Sequence, residues 1–310
     1  MASYYIGTCS FTDKGLDGTF YPKGIKPAER ISFYAQHFNC VEIDSSYYSL
    51  PSERNSVLFA QRTPDDFVFH FKAFGLMTKH KVMLKSLGRA LAIHLPPGYK
   101  APYIEEPPRD MLEKAFNIFY SALNPLRIAG KLGLILFQFP PYFTKSKENK
   151  NYILQCQEWM KDSLLAIEFR HKSWVDNKEI EDTMRFLRDH NLVYVSVDEP
   201  QFASGLTIPP IARTTAKIAY VRFHGRNTKN WFKKGITVAE RFDYLYSLGE
   251  LKEWVSRIEG LAKDTDQVHI MFNNCMNTYP VQNARDMAGL LNALPGKKRV
   301  ELIDQRSLDI

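Results

Sequence analysis

Eight short runs of β-branched and aromatic residues recur along this 310-residue chain, and helical periodicity fills most of the intervals between them. The strand candidates are YYIGTCS (4–10), NCVEIDS (39–45), DFVFHFKAF (66–74), GLILFQFP (133–140), LLAIEFRH (164–171), LVYVSVDE (192–199), KIAYVRFHG (217–225) and QVHIMFNN (267–274). Helix candidates follow them as PAERISFYAQHF, SERNSVLFAQRT, RDMLEKAFNIFYSAL, NYILQCQEWMKD, KEIEDTMRFLRDH, RFDYLYSLGELKEWVSRIEGLA and VQNARDMAGLLNAL. The sixth connection, EPQFASGLTIPPIARTTA, carries the least helical signal. No Gly/Ser linker or low-complexity stretch interrupts this alternation, so the expected fold is α/β, a single (β/α)8 TIM-type barrel, with a doubly wound open sheet as the alternative. Residues 1–310 are expected to form one domain, with a core over about 4–292 and a C-terminal tail at 293–310. Long loops at 75–108 and 226–240 would lie over the C-terminal mouth, where barrels carry their binding sites.

The strands share an unusual polar parity. In IAYVRFHGRN (218–227), Arg222, His224 and Arg226 alternate with apolar residues, and a strand places alternate side chains on one face. Glu42 with Asp44, His70 with Lys72, Gln138, Glu168 with Arg170, Ser196 with Asp198, and Asn273 alternate in the same way, and Thr8 extends the series to the first strand. In a closed parallel barrel the helix-facing parity must be apolar, so the polar set is expected to face inward. Barrel interiors are ordinarily Val, Ile and Leu, and an unpaired charge there costs several kcal/mol. A self-neutralising ion lattice is the structural alternative to a ligand pocket.

The balance of 41 Lys+Arg against 34 Asp+Glu leaves a formal charge of +7, which favours anionic partners. Cys9, Cys40, Cys156 and Cys275 form no CxxC spacing and no disulfide-scaffold density, which suits a reducing, cytoplasmic setting. No apolar run approaches a membrane span and the N-terminus lacks a signal-peptide pattern, so no membrane partner is expected.

The motifs FNCVEIDSSYY, RTPDDFVFHFKA, LGLILFQFPP, LAIEFRHKSW, YVRFHGR, ERFDYLYSLGEL and MFNN, in this order, resemble the YecE-like family, the domain-of-unknown-function family numbered 72. The resemblance runs from about Tyr5 to Leu290. It implies a TIM-type barrel without an established reaction, and marks Glu42, Lys72, Gln138, Glu168, Arg170, His171, Trp174, Asp198, Arg222, His224, Arg226, Asn273 and Asn274 as motif positions. The chain departs from the family pattern at GTCSF, where relatives show a GTSGW-like stretch, at Asp44, where Asn is usual, and at Cys275, beside the paired asparagines. Cys9 and Cys275 sit on strands that adjoin in a closed barrel.

These residues suit acid/base chemistry on a small phosphate- or carboxylate-bearing substrate. Arg170, Arg222 and Arg226 with Lys72 supply donors for the anion, and Gln138, His171, Asn273 and Asn274 complete the expected binding set. Glu42, Glu168, Asp198 and His224 are the candidate catalytic groups, and the carboxyl with the fewest cationic neighbours should have its pKa raised toward neutrality. Hydrolysis, isomerisation and lyase steps all fit. No cofactor is implied; the carboxylates and imidazoles admit a divalent metal, but the neighbouring cations argue against one. A second reading is nucleic-acid binding or phosphodiester processing, resting on KHKVMLK (79–85), KSKENK (145–150) and NTKNWFKKG (227–235), where Trp231 and Phe232 interleave with lysines. The last segment equally suits a lid over a small-molecule site. A third reading is a ligand-binding protein without turnover. The sequence leaves the oligomeric state open.

Overall fold

A computed structural model describes residues 2–203 and 207–293. Eight strands, β1 (Ser3–Thr8), β2 (Cys40–Ile43), β3 (Val68–Lys72), β4 (Leu132–Gln138), β5 (Leu165–Glu168), β6 (Val193–Asp198), β7 (Ile218–Phe223) and β8 (Gln267–Phe272), form one sheet. Its order is β1-β8-β7-β6-β5-β4-β3-β2, with every hydrogen-bonded pair parallel. Strands consecutive in sequence are therefore neighbours in space, as a TIM-like barrel requires. The main helices are α1 (Arg30–His37), α2 (Glu53–Gln61), α3 (Arg109–Ala122), α4 (Lys147–Met160), α5 (Ile180–Asp189), α6 (Leu248–Asp264) and α7 (Tyr279–Leu290).

Side chains bridge the seam between β1 and β2. Asn39 accepts the Ile6 N–H at 3.0 Å and donates to the Tyr4 carbonyl at 2.9 Å, so one amide copies the pairing a neighbouring strand would make. The Tyr34 hydroxyl accepts the Thr8 N–H at 2.9 Å and lies 3.3 Å from the Cys40 carbonyl. Closure needs glycine at position 7, because a β-carbon there would stand 2.2 Å from the Cys40 carbonyl oxygen.

The helix boundaries follow local capping chemistry. Ser146 caps α4 by accepting the Asn149 N–H, which starts that helix several residues before the expected NYILQCQEWMKD. Ser247 and Glu250 form a reciprocal capping box that starts α6 at Leu248, so the stretch 242–247, expected to be helical, is a loop. The buried ammonium of Lys131 donates to the Ala60 and Thr63 carbonyls, satisfying the end of α2. The sixth connection has no helix among its described residues, in keeping with its weak signal. Residues 294–310, nearly all of the expected tail, lie outside the described part. No described helix is long and apolar enough to cross a membrane.

Strand register decides which parity looks inward. Arg222, Glu42, Glu168 and His269 converge inside the barrel, whereas Phe169, Phe223 and Phe272 pack outward. Val197 pairs with Arg222 and Asp198 with Phe223, so β6 turns Val195 and Val197 inward and Ser196 and Asp198 outward, opposite to expectation. Thr8 also faces outward, against Tyr34, while Cys9 takes the inward position beside Arg222.

Candidate active site

The lower barrel holds two imidazoles among sulfur atoms. The Leu134 N–H points at His70 Nδ1 at 2.9 Å, so that nitrogen carries the lone pair and Nε2 carries the proton. His70 Nε2 then donates to His269 Nδ1 at 3.0 Å, and His269 Nε2 donates to the Gln267 side-chain oxygen at 3.0 Å. Gly133 makes room for this arrangement, since a β-carbon there would stand 2.6 Å from His70 Nδ1. Burial keeps both rings neutral, lowering His70 to about 4 and His269 well below the usual histidine range. Cys40, His70 and His269 bring potential ligand atoms within 4.8 Å of one another, and Cys40 Sγ lies 3.7 Å from Met271 Sδ. Every ring nitrogen is nevertheless committed to the hydrogen-bond chain. A metal at this point would have to displace it.

Above this floor, Arg222 is fully buried and held by two glutamates, at 2.5 Å to Glu42 and 2.6 Å to Glu168. Tyr220 donates to the second Glu42 oxygen at 2.5 Å. Glu168 Oε1 gathers Gln138 at 2.7 Å, His224 at 2.9 Å and Arg170 at 3.1 Å. The Asn273 amide lies 3.0 Å from His224 Nδ1, so His224 holds one partner at each nitrogen. Burial alone would raise both glutamates, but Arg222 overrules it and brings Glu42 down to about 2. Glu168 falls well below the carboxylate range through Arg222, His224 and Arg170. Burial lowers His224 to about 4 against the pull of Glu168, leaving a neutral Nε2–H donor.

Beside this buried, tightly paired core lies a looser pair. Asp44 stands 3.7 Å from the Lys72 ammonium and 3.6 Å from Arg222, with about 21% of its side chain exposed, and its Oδ1 makes no hydrogen bond. Burial, reinforced by the negative charge of Glu42 and only partly offset by Lys72 and Arg222, raises Asp44 to about 8. The Lys72 ammonium also lies 4.9 Å from the centre of the Tyr47 ring. His80 packs edge-on to that ring at 5.1 Å; burial, with Lys72 and Arg170, lowers it to about 3.

The loop after β7 covers this mouth. Trp231 is buried, with its ring 5.2 Å from the Arg170 guanidinium and 6.5 Å from His224, and Phe242 supports it edge-on at 5.5 Å. Arg241 donates to the Trp231 and Lys233 carbonyls and anchors the loop from beneath. Trp231 therefore faces the mouth, and only Phe232 of the pair is exposed.

Among the expected site residues, Glu42, Lys72, Gln138, Glu168, Arg170, Arg222, His224 and Asn273 meet in this mouth, while four others lie elsewhere. Asp198 points toward α6, accepting from Tyr246 and Trp254 at 2.7 Å each. Arg226 follows Gly225, whose φ of +87° turns the chain away, and forks onto Asp198 while also bonding Glu253. Asn274 donates to the Tyr244 carbonyl and Asn283, holding a loop rather than facing the mouth. His171 accepts the Ser173 N–H and caps its own short turn.

The arginine donors expected for a free anion are thus unequal. Arg222 is fully buried between Glu42 and Glu168, Arg170 pairs with Glu168 and Glu199 and Arg226 with Asp198 and Glu253 while both keep some solvent access, and Lys72 has a single long ion pair. Glu199 was not among the expected set. It pairs with Arg170 at 2.9 Å and is raised by burial, and the inward position of Val197 two residues earlier points to it. Tyr220 shares the parity of Arg222, so its place was readable from the same alternation.

Residues 5–304 match the family described as "Protein of unknown function DUF72". UPF0759 protein YunF of Bacillus subtilis (strain 168) is 32% identical over 292 residues, covering 93% of this chain and 94% of that protein. Among solved structures, a DUF72 family protein of Thermotoga maritima MSB8 is 31% identical with a TM-score of 0.74, covering 94% of this chain and 99% of its own. One from Enterococcus faecalis v583 is 25% identical with a TM-score of 0.75, covering 93% and 95%.

Proposed function

This chain belongs to the DUF72 family, and on that premise we propose that its C-terminal mouth is the active site of an enzyme acting on a small phosphate- or carboxylate-bearing substrate by acid/base chemistry. The observation that carries this reading is the setting of Asp44, a partly exposed carboxyl 3.7 Å from Lys72 with one oxygen free of hydrogen bonds, which burial and the nearby Glu42 raise well above the ordinary carboxylate range. A group poised near neutrality can give or take a proton at physiological pH, as general catalysis requires. Glu42 and Glu168 are too strongly ionised for that role, and His224 is neutral with both nitrogens engaged.

In this reading Lys72 and Arg170 hold the anion, and Asp44 moves the proton. The Glu42–Arg222–Glu168 bridge, with Tyr220, Gln138, His224 and Asn273, fixes their positions. Trp231 excludes water when the loop is down. Hydrolysis, isomerisation and lyase chemistry all use such a proton carrier.

The test is a thermal-shift screen against phosphorylated and carboxylated metabolites, followed by turnover assays with any compound that stabilises the protein. A stabilising metabolite class, lost in Lys72→Met and turned over only with Asp44 intact, is the expected result. Binding that persists in Asp44→Asn with turnover unchanged would remove Asp44 from the chemistry. The absence of any shift across both classes would overturn the anion pocket.

A further inference from the structure

Five tyrosine or phenylalanine rings are exposed among the described residues, Tyr48, Tyr99, Tyr103, Tyr142 and Phe232, and all five lie on loops that follow strands at the C-terminal end of the barrel. Exposed rings scattered singly need no explanation, but rings gathered at one end, around a charged mouth, do. Contacts join four of them into an arc. Tyr48 packs edge-on to Tyr47 at 5.0 Å, and Tyr47 meets His80 and Lys72. Tyr142 donates to the Lys79 carbonyl at 2.8 Å. Lys81 lies 5.1 Å from the Tyr103 ring centre, and the Tyr99 hydroxyl donates to the Tyr103 carbonyl at 2.7 Å.

Cations are interleaved with the rings. The loop 75–108 carries Lys79, Lys81, Lys85, Arg89 and Lys100 against Glu105 and Glu106; Lys81 is paired to Glu105 and the Lys79 ammonium lies 4.5 Å from the Tyr152 ring centre, so Lys85, Arg89 and Lys100 are its cations without such a partner among the described residues. Lys145 and Lys150 of the other lysine-rich segment are bound by Asp182, and Trp231 is turned into the mouth, so neither of those segments offers the same alternation.

We propose that this arc is a docking track for single-stranded nucleic acid, whose unpaired bases stack on Tyr48, Tyr142 and Tyr103 while its phosphates follow the lysines of the 75–108 loop. A base has a planar face for each ring, and a backbone phosphate has the charge for each ammonium. A duplex keeps its bases stacked inside the helix and offers such rings no free base face. The track borders the mouth where Tyr48 packs on Tyr47 beside Lys72, but it does not depend on the acid/base reading of that mouth.

Fluorescence anisotropy with labelled 12-nucleotide oligothymidylate and oligouridylate tests this on the full chain. Affinity is expected to fall about twenty-fold between 50 and 200 mM salt, as neutralisation of roughly three phosphates of a single strand predicts. Tyr48→Ala and Tyr142→Ala should each weaken binding about ten-fold while the phenylalanine variants retain it, because stacking needs the ring and not the hydroxyl. Tyr142→Ala should leave ligand stabilisation and turnover at the mouth unchanged, so failure of the mouth chemistry and failure of the track read out separately. No binding at 50 mM salt, equal affinity for a duplex of the same length, or indifference to the alanine variants would each overturn the track. Preference for an acidic oligosaccharide over both strands would overturn the partner class.

Discussion

The two sides of the barrel mouth are built on different physical terms. On the β5–β7 side, Glu168, Arg222 and His224 are fully buried, and the ion pairs of Arg222 are 2.5–2.6 Å long. On the β2–β3 side, Asp44 and Lys72 face each other at 3.7 Å, keep some solvent access, and leave Asp44 Oδ1 without a hydrogen bond. A buried charge network stabilises only when its donors and acceptors are matched, and otherwise costs more than apolar packing. The tightly paired side therefore serves as a frame, and the loose side retains the capacity to respond to a ligand. Inward charge alone did not reveal function; the length of the ion pairs and the access of solvent distinguish the two sides, because Arg222 Nε and Glu199 Oε2 also lack hydrogen bonds on the buried side.

The contrast is broken most severely by Arg222→Met. Two buried carboxylates would lose their shared counter-charge, and removal of one partner from a buried pair costs roughly 3–5 kcal/mol. Urea denaturation followed by circular dichroism should show that loss, and a change below about 1 kcal/mol would mean that the network is not the frame. Glu42 reports the same fact through pH. Its folded pKa of about 2 lies below its ordinary 4.5, so its stabilising contribution is present above pH 4.5 and is lost as pH falls toward 2.

Asp44 carries the opposite sign. Its folded value of about 8 lies above its ordinary 3.8, so across that window the folded chain keeps a proton that the unfolded chain has released, and stability falls as pH rises. Asp44→Asn removes that dependence. Between pH 6 and 9 the native protein should lose about 2–3 kcal/mol more than the variant, at about 1.4 kcal/mol for each pH unit below the folded pKa. Parallel curves for the two proteins over that range would show that Asp44 is ionised at neutral pH.

The strands and most helices were legible because their hydrophobic periods are strong, and the charged character of the mouth was legible because polar residues interrupt those periods. Orientation was less readable. In a parallel barrel both faces of a strand are buried, so a polar residue can face outward if the outer layer supplies donors, as Tyr246 of the preceding loop and Trp254 of α6 do for Asp198. Extending the alternation past a strand end failed for Arg226, because Gly225 adopts a left-handed conformation that breaks the parity. Asn274 adjoins Asn273, and adjacent residues on an extended segment cannot both look inward. Register against β7, which places Val197 opposite Arg222, is a long-range property that no local pattern in VYVSVD contains.

The smallest change in stability is expected from Lys72→Met, and it sharpens the comparison furthest. Methionine keeps an unbranched stem against Tyr47 and removes an ammonium that retains some solvent access and stands 3.7 Å from a carboxyl still protonated at neutral pH, so the folding free energy should move by no more than about 1 kcal/mol. The same substitution removes an influence that holds Asp44 down, so the carboxyl should titrate above about 8 and the pH-dependent loss of stability should extend to higher pH. Carbon-detected NMR titration of the Asp44 carboxyl, with denaturation at matched pH, measures both effects. A destabilisation as large as that of Arg222→Met would place Lys72 within the frame. A small loss accompanied by the upward shift would identify the β2–β3 side as held together weakly enough for a ligand anion to replace Asp44 as the partner of Lys72.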